Sequence, residues 1–255
     1  MREKFLDIGI DIGSRVGNYH IVCPKCSHTR KKSKDKCLSI NVEKGLYNCF
    51  HCNWSGNVNV RAKKEYVKPI KILSPLNKKT ISWFKRRCIS ENTLVNWKIT
   101  ESQEYFPQVK EKRNAINFNY YREDELINIK FRDGSKNFKL YKNAELIFYG
   151  IDRIKTMDKI YITEGEIDAL SLFEAGIFSV CSVPNGANVG NQRLEYLDNC
   201  WEYFVNKKEI ILCTDNDQAG LSLRKELARR FGRGRCKYVD FGEYKDANEI
   251  LIKLG

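Results

Sequence analysis

The chain has 255 residues, 42% of them hydrophobic, and a formal net charge of +13. That content supplies packed cores for two or three modest domains and excludes disorder over most of the length. No apolar run approaches the length of a membrane span, and the mixed charges of Met1-Arg2-Glu3-Lys4 fit neither a signal nor a transit peptide, so a soluble cytoplasmic protein is expected.

The charge is unevenly spread. Residues 1–55 carry ten Lys/Arg against five Asp/Glu, and residues 56–100 carry eleven against two. Residues 101–150 carry nine against eight, and residues 151–255 fifteen against seventeen. A basic first part joined to a carboxylate-rich second half suits a protein that neutralises phosphates in one place and binds metal in another.

Cys23-Pro24-Lys25-Cys26 and Cys49-Phe50-His51-Cys52 are separated by 22 residues. Two such knuckles make a tetrahedral thiolate cage, because each tight turn brings two sulfurs to one ion. Cys23, Cys26, Cys49 and Cys52 are the expected ligands of one structural Zn²⁺, with Cys37, His28 and His51 as weaker substitutes. The intervening segment reads as two strands, Cys37–Val42 and Leu46–Cys49, about a Glu43-Lys44-Gly45 turn. This predicts a zinc ribbon over residues 1–58. The run Arg30-Lys31-Lys32-Ser33-Lys34 is either a nucleic-acid contact or a solvated loop. With no secretion signal, the ten cysteines read as metal ligands and reduced thiols.

Residues 59–80, with Pro69 and Pro75, read as a basic linker. From Ile81 the pattern turns helical. Ile81, Phe84 and Cys88 have core spacing, Lys85-Arg86-Arg87 fall mostly on the outer face, and Ser90-Glu91-Asn92 start a second helix. Antiparallel strands follow over residues 115–141, turning at Asp133-Gly134-Ser135. Lys130, Arg132, Lys136, Lys139 and Lys142 concentrate cations there, suited to a triphosphate or simply to a surface hairpin. Residues 81–150 are taken as one α+β subdomain.

From Ile151 onwards strands and helices alternate. Strands are expected at Lys159–Thr163, Phe178–Val183, Glu209–Thr214 and Cys236–Phe241. Helices are expected at Glu166–Ala175, roughly Gln192–Phe204, Gln218–Phe231 and Ala247–Leu254. This predicts a mainly parallel sheet covered by helices over residues 151–255. Cys181, Cys200, Cys213 and Cys236 read as buried and inert. The fold class is therefore multidomain, α+β and α/β.

Three acidic stretches stand out in this half and read as one metal site: Thr163-Glu164-Gly165-Glu166-Ile167-Asp168, Thr214-Asp215-Asn216-Asp217, and Lys245-Asp246-Ala247-Asn248-Glu249. The first two follow apolar strands, which places their carboxylates in the crevice at the carboxyl ends of a parallel sheet. Several hard oxygen ligands gathered there suit Mg²⁺ and chemistry on phosphates. Asp215 and Asp217 point the same way if the strand continues through them.

Thr163-Glu164-Gly165-Glu166-Ile167-Asp168-Ala169-Leu170 resembles the first motif of a Toprim domain, and Asp215-Asn216-Asp217-Gln218-Ala219-Gly220 its Asp-x-Asp motif. Lys245-Asp246-Ala247-Asn248-Glu249 resembles a signature of Toprim primases. Lys136-Asn137-Phe138-Lys139 resembles part of the basic strand of that family's catalytic core. With the ribbon upstream, the chain from about Cys23 to Leu254 resembles the primase half of bacteriophage primase–helicases, relatives of Twinkle. The resemblance implies a DNA primase that copies single-stranded DNA from ribonucleoside triphosphates into a short RNA primer and releases pyrophosphate. It implies a template-selecting zinc ribbon and a replicative helicase acting in cis or in trans, in a host cytoplasm if the source is a phage. It assigns Glu164, Asp168, Asp215, Asp217 and Asp246 to one or two Mg²⁺ or Mn²⁺ ions, with Glu164 either a ligand or an activator of the 3′-hydroxyl. Lys130, Lys136 and Lys139 match the basic positions that serve nucleotide binding and catalysis.

The sequence holds no Gly-x-x-x-x-Gly-Lys-Ser/Thr loop, so a helicase motor is not part of it, and both a stand-alone primase and a piece of a fused protein are compatible. The alternative is a non-catalytic DNA-binding protein resembling the recombination mediators, which also join four cysteines to a Toprim domain. The Asp-Ala-Asn-Glu motif and the basic strand speak against it. A Toprim nuclease or topoisomerase is a third possibility, with no defensible nucleophilic tyrosine pattern.

Overall fold

The computed structural model describes residues 1–58, 65–70, 74–187 and 194–255. Parts of the expected linker (59–64 and 71–73) and the start of the helix expected from Gln192 lie outside these residues. The chain divides into two compact units, Met1–Glu65 and Tyr66–Gly255. Among the described residues no helix is long and apolar enough to cross a membrane.

The first unit opens with a short helix α1 (Arg2–Leu6), which the sequence reading missed. Four strands follow, β1 (Asn18–Ile21), β2 (Leu38–Asn41), β3 (Leu46–Cys49) and β4 (Ser55–Asn57), in an antiparallel sheet of that order. The two expected strands are β2 and β3, paired Leu38 with Cys49. Its small core consists of Phe5, Ile10, Ile12, Leu38, Ile40, Val42 and Val58, packed with Cys23, Cys26 and Cys49.

The second unit begins with α2 (Lys78–Lys85) and α3 (Glu91–Asn96). Asn77 caps α2 by accepting from the Thr80 N–H at 2.9 Å, and Ser90 caps α3 through the Thr93 N–H at 3.3 Å. These caps satisfy N–H groups that a helix start leaves open. Phe84 and Ile89 are buried, but Cys88 is exposed, contrary to its expected core place. It lies just past the end of α2 with φ +56°, so it takes part in the chain reversal and not in the helix face. Next come β5 (Thr100–Phe106), β6 (Glu111–Arg122), β7 (Glu125–Asp133) and β8 (Phe138–Leu140), antiparallel and in sequential order.

The α/β part contains β9 (Lys159–Thr163), α4 (Glu166–Glu174), β10 (Val180–Ser182), α5 (Glu195–Asn199), β11 (Glu209–Cys213), α6 (Gln218–Phe231), β12 (Cys236–Tyr238) and α7 (Ala247–Leu254). All pairings are parallel, in the order β10-β9-β11-β12. After β9 the chain moves to β10 on one side, then returns to β11 on the other. The strand order therefore reverses between β9 and β11, the place where open α/β sheets form their binding crevice. Leu223, Leu227 and Phe231 recur every fourth residue and are buried, the stripe that seats α6. Cys181, Cys200 and Cys213 are buried as expected, while Cys236 is half-buried.

Candidate active site and metal centres

The four cysteine thiols converge. Their sulfur atoms all lie within 4.8 Å of one another, with Cys23 to Cys52 at 3.9 Å and Cys26 to Cys49 at 3.7 Å. A tetrahedron with metal–sulfur bonds of about 2.3 Å has edges of about 3.8 Å, so the set fits a tetrahedral ion. Burial raises the Cys23 and Cys26 thiols, whereas at Cys49 the backbone N–H groups of Cys52 and His51 outweigh burial and lower the thiol to about 6, so Cys49 is the ligand held nearest its thiolate form. Cys37 Sγ lies 3.5 Å from Cys49 Sγ, at the edge of the cage.

In the second unit the acidic residues are placed by adjacent strands. Thr163 pairs with Cys213, so Glu164 and Asp215 follow the carboxyl ends of neighbouring β9 and β11. Glu164 accepts from the Ala187 N–H at 3.1 Å and, through its other oxygen, from the Asp215 N–H at 3.4 Å. Burial, with the nearby Asp215 charge, raises its carboxyl to about 7.

β11 ends at Cys213, so the strand does not continue through Asp215 and Asp217. Asp217 instead caps α6, Oδ1 accepting from the Gly220 N–H at 3.0 Å. A Cβ on Gly220 would lie 2.2 Å from the Asp215 carbonyl oxygen, so this glycine lets the helix approach the acidic turn. Between the two aspartates, Asn216 ties the turn to the third acidic stretch. Its N–H donates to the Lys245 carbonyl at 3.0 Å and its Nδ2 to the Tyr244 carbonyl at 3.1 Å. Asp246 caps α7 through the Glu249 N–H at 2.8 Å.

Asp168, in the first turn of α4, is buried and accepts from the Asn248 N–H at 3.2 Å. Its carboxyl is pushed well above the usual range by burial and then by the charges of Asp246 and Asp215. Burial likewise raises Asp215, with Asp246 and Asp217 adding to the shift and Lys245 opposing it. A divalent cation would relieve this mutual repulsion, and the donors are the hard oxygens that Mg²⁺ takes, so the set fits such an ion. Among the described residues no three carboxylate oxygens come as close together as the cysteine sulfurs. Lys245 Nζ lies instead against Asp215 Oδ2 at 3.4 Å and Asp217 Oδ2 at 3.6 Å.

The basic residues divide between two faces of the antiparallel sheet. Lys130 is paired with Phe118 and Leu140, and Arg132 with Ile116 and Phe138, so these share one face. Lys139, paired with Phe131, belongs to the other face and bonds Glu104 at 2.7 Å. Lys130 is buried, its Nζ bonded to both oxygens of Glu166. Tyr120 also donates its hydroxyl to Glu166. Lys136 is exposed at the β7–β8 turn with φ +64°. A cavity of about 280 Å³ is lined by Lys136, Arg132, Arg87 and Trp83 together with Asp168 and Asp246. Lys136, Asp168 and Asp246 thus meet in this cavity, while Glu164, Asp215 and Asp217 cluster at the strand ends and Lys139 lies apart.

Sequence reasoning missed Arg87 and Trp83 as parts of the site, and gave Lys245 and Asn248, inside the third acidic stretch, no role of their own. Arg87 was expected outside, yet its guanidinium lies 3.6 Å from the centre of the Trp83 ring, and Arg132 lies 4.6 Å from it. Burial, then the neighbouring Arg87 charge, lowers the Arg132 guanidinium. Asn248 Nδ2 donates to the Arg87 carbonyl at 3.1 Å and to Ser171 Oγ at 2.9 Å, joining α7 to α4 and to the end of α2. An Asn inside an acidic motif was the one available signal.

The Toprim-like family model matches residues 161–251. A primase homolog protein of Arabidopsis thaliana is 31% identical, the match covering 92% of this chain and 77% of that protein. The Arabidopsis thaliana chloroplastic/mitochondrial Twinkle homolog is 29% identical over 100% of this chain, which spans only 40% of that relative's length. The primase fragment of the bacteriophage T7 primase–helicase shares the fold, with a TM-score of 0.57 at 24% identity over 91% of this chain and 93% of that one. With its four-cysteine ribbon and its acidic strand ends, the chain belongs to the Toprim primase family that includes the primase halves of phage primase–helicases and the relatives of Twinkle.

Proposed function

We propose that this protein is a DNA primase, synthesising short RNA on single-stranded DNA from ribonucleoside triphosphates and releasing pyrophosphate. The observation that carries the reading is that acids and cations line one cavity. Asp168 and Asp246 line it together with Lys136, Arg132 and Arg87, and the charges of Glu164 and Asp215, at adjacent strand ends, reach Asp168. Nucleotidyl transfer needs that pairing: oxygen ligands for metal, and positive side chains for the phosphates the metal does not cover.

Glu164, Asp168, Asp215, Asp217 and Asp246 would hold one or two Mg²⁺ or Mn²⁺ ions. Bound there, a divalent cation supplies charge neutralisation for the triphosphate and lowers the pKa of the attacking 3′-hydroxyl. Lys136, exposed at the mouth, is placed to meet the triphosphate. Arg132 and Arg87, stacked on Trp83, would supply further positive charge in the cavity. Glu164, raised to about 7, is poised to exchange a proton near neutral pH if it acts on the hydroxyl and not as a ligand. Lys130 works through Glu166, fixing the sheet against the start of α4. Lys139 acts from the other face, through Glu104.

The ribbon, residues 1–58, would hold one structural Zn²⁺ and select the template. Residues 59–80 would link it to a core made of an 81–150 subdomain and a 151–255 Toprim domain. A replicative helicase, fused or separate, is the expected partner.

The test is incubation with Mg²⁺, labelled ribonucleotides and a pool of single-stranded DNA templates. Short, template-dependent RNA is expected from the native chain. Asp215→Ala and Glu164→Ala should abolish it while leaving template binding nearly intact. Synthesis that survived both changes would overturn the site assignment.

A further inference from the structure

We propose that Lys245 is the resident counter-ion of the Asp215–Asp217 pair and competes directly with the divalent cation for it. The Lys245 ammonium lies 3.4 Å from Asp215 Oδ2 and 3.6 Å from Asp217 Oδ2, between the two carboxylates. Among the described residues no other Lys or Arg is ion-paired with either aspartate. The Asp217 Oδ1 is engaged in capping α6, so Oδ2 is the oxygen free for an ion, and it is the one Lys245 touches.

Two features separate this from an ordinary surface ion pair. The Lys245 backbone is anchored to the acidic turn itself, its carbonyl accepting from the Asn216 N–H at 3.0 Å. The ammonium is thereby kept within a side-chain length of both carboxylates. Its side chain is also 57% exposed, so it can swing into solvent without burying its charge. Two carboxylates this close repel each other, and one ammonium relieves the repulsion only in part. A divalent cation relieves it better, but must first displace Lys245. The displaced ammonium stays beside the site and adds positive charge for the phosphates carried by the metal. That last step rests on the primase reading; the competition does not.

The probe is Mn²⁺ alone, titrated into the full-length protein and followed by the loss of free-ion paramagnetic resonance. Lys245→Gln should bind Mn²⁺ about 1.4- to 5-fold more tightly than the native chain, the range expected from removing an exposed ion pair. Lys245→Arg, which keeps the charge, should stay close to native. Equal or weaker Mn²⁺ binding by Lys245→Gln would overturn the proposal. The Michaelis constant for ribonucleotides should rise several-fold in Lys245→Gln despite the tighter metal, a split that a merely structural lysine would not give. The two readings fail separately. Tighter Mn²⁺ binding with no primer synthesis by any variant leaves the competition standing and removes the primase reading. Synthesis with unaltered Mn²⁺ affinity does the reverse.

Discussion

Glu166 holds Lys130 through both carboxylate oxygens, at 2.8 and 3.0 Å, in a pair whose side chains are 5% and 11% exposed. The pair fastens β7 of the antiparallel sheet to the first turn of α4, next to the acids of the crevice. Removing one partner leaves the other charge buried and unmatched. Glu166→Met or Lys130→Met alone should therefore cost about 3–5 kcal/mol of stability, whereas the two together should recover most of it. Denaturant unfolding of the single and double variants checks this. A fully additive double variant would mean the pair is not coupled.

The Glu164 carboxyl gives a pH signature. Its ordinary value is 4.5 and the fold raises it to about 7, so between those values the folded protein binds a proton that the unfolded chain has released. Stability from this group is full below 4.5 and is lost as pH rises through 7. Metal binding runs the opposite way, because the ion competes with that proton. Mn²⁺ affinity should rise between pH 6 and pH 8, and Glu164→Gln should flatten the rise. Titrations at those two pH values decide it.

Gly220 sets the position of the acidic turn. An added Cβ would meet the Asp215 carbonyl oxygen at 2.2 Å, a backbone atom that cannot rotate away. Gly220→Ala should cost about 1–3 kcal/mol in overpacking and weaken Mn²⁺ binding more than tenfold by moving Asp215. Native affinity in this variant would show that the turn has slack that the structure does not display.

These three cases also show what the sequence could carry. The bounds of α6, Gln218–Phe231, and of α7, Ala247–Leu254, were legible because each has an Asp cap and an apolar stripe. The acidic strand ends were legible for the same local reason: an apolar run stops and carboxylates begin. β5 was not, because Thr100-Glu101-Ser102-Gln103-Glu104 has no apolar face of its own, and its burial comes from pairing with β6. Asp217 looked like strand because Asp-x-Asp fits a strand period as well as a helix cap. The Lys130–Glu166 pair and the Asn248 bridge to Arg87 join residues 36 and 161 positions apart, and no local pattern encodes such partners.

The ribbon should depend on its metal. Its core is a handful of side chains around the cysteines, too little to fold a sheet of short strands unaided. Cys49→Ser, or a strong chelator, should release the zinc measured by atomic absorption and unfold the first unit. Template-directed initiation should fall further than extension of a supplied primer. Equal loss of both would reduce the zinc to a purely structural role.

The last prediction separates two lysines that the family resemblance treats alike. Lys136 stands at the mouth of the acidic cavity, while Lys139 points to the opposite face of the sheet and is engaged by Glu104 at 2.7 Å. An exposed cation at the cavity can neutralise phosphate directly; a cation on the far face can act only by holding the strand. Lys136→Ala should lower primer synthesis at least tenfold with little change in stability, a loss of about 1.4 kcal/mol or more from the transition state. Lys139→Ala should lower stability by about 1 kcal/mol, as a partly buried ion pair is lost, and reduce synthesis only in proportion to unfolding. Steady-state synthesis and denaturant unfolding on both variants give the comparison. If Lys139→Ala abolished synthesis in a folded protein, substrate would have to reach the outer face of the sheet, and the crevice described here would be only part of the active site.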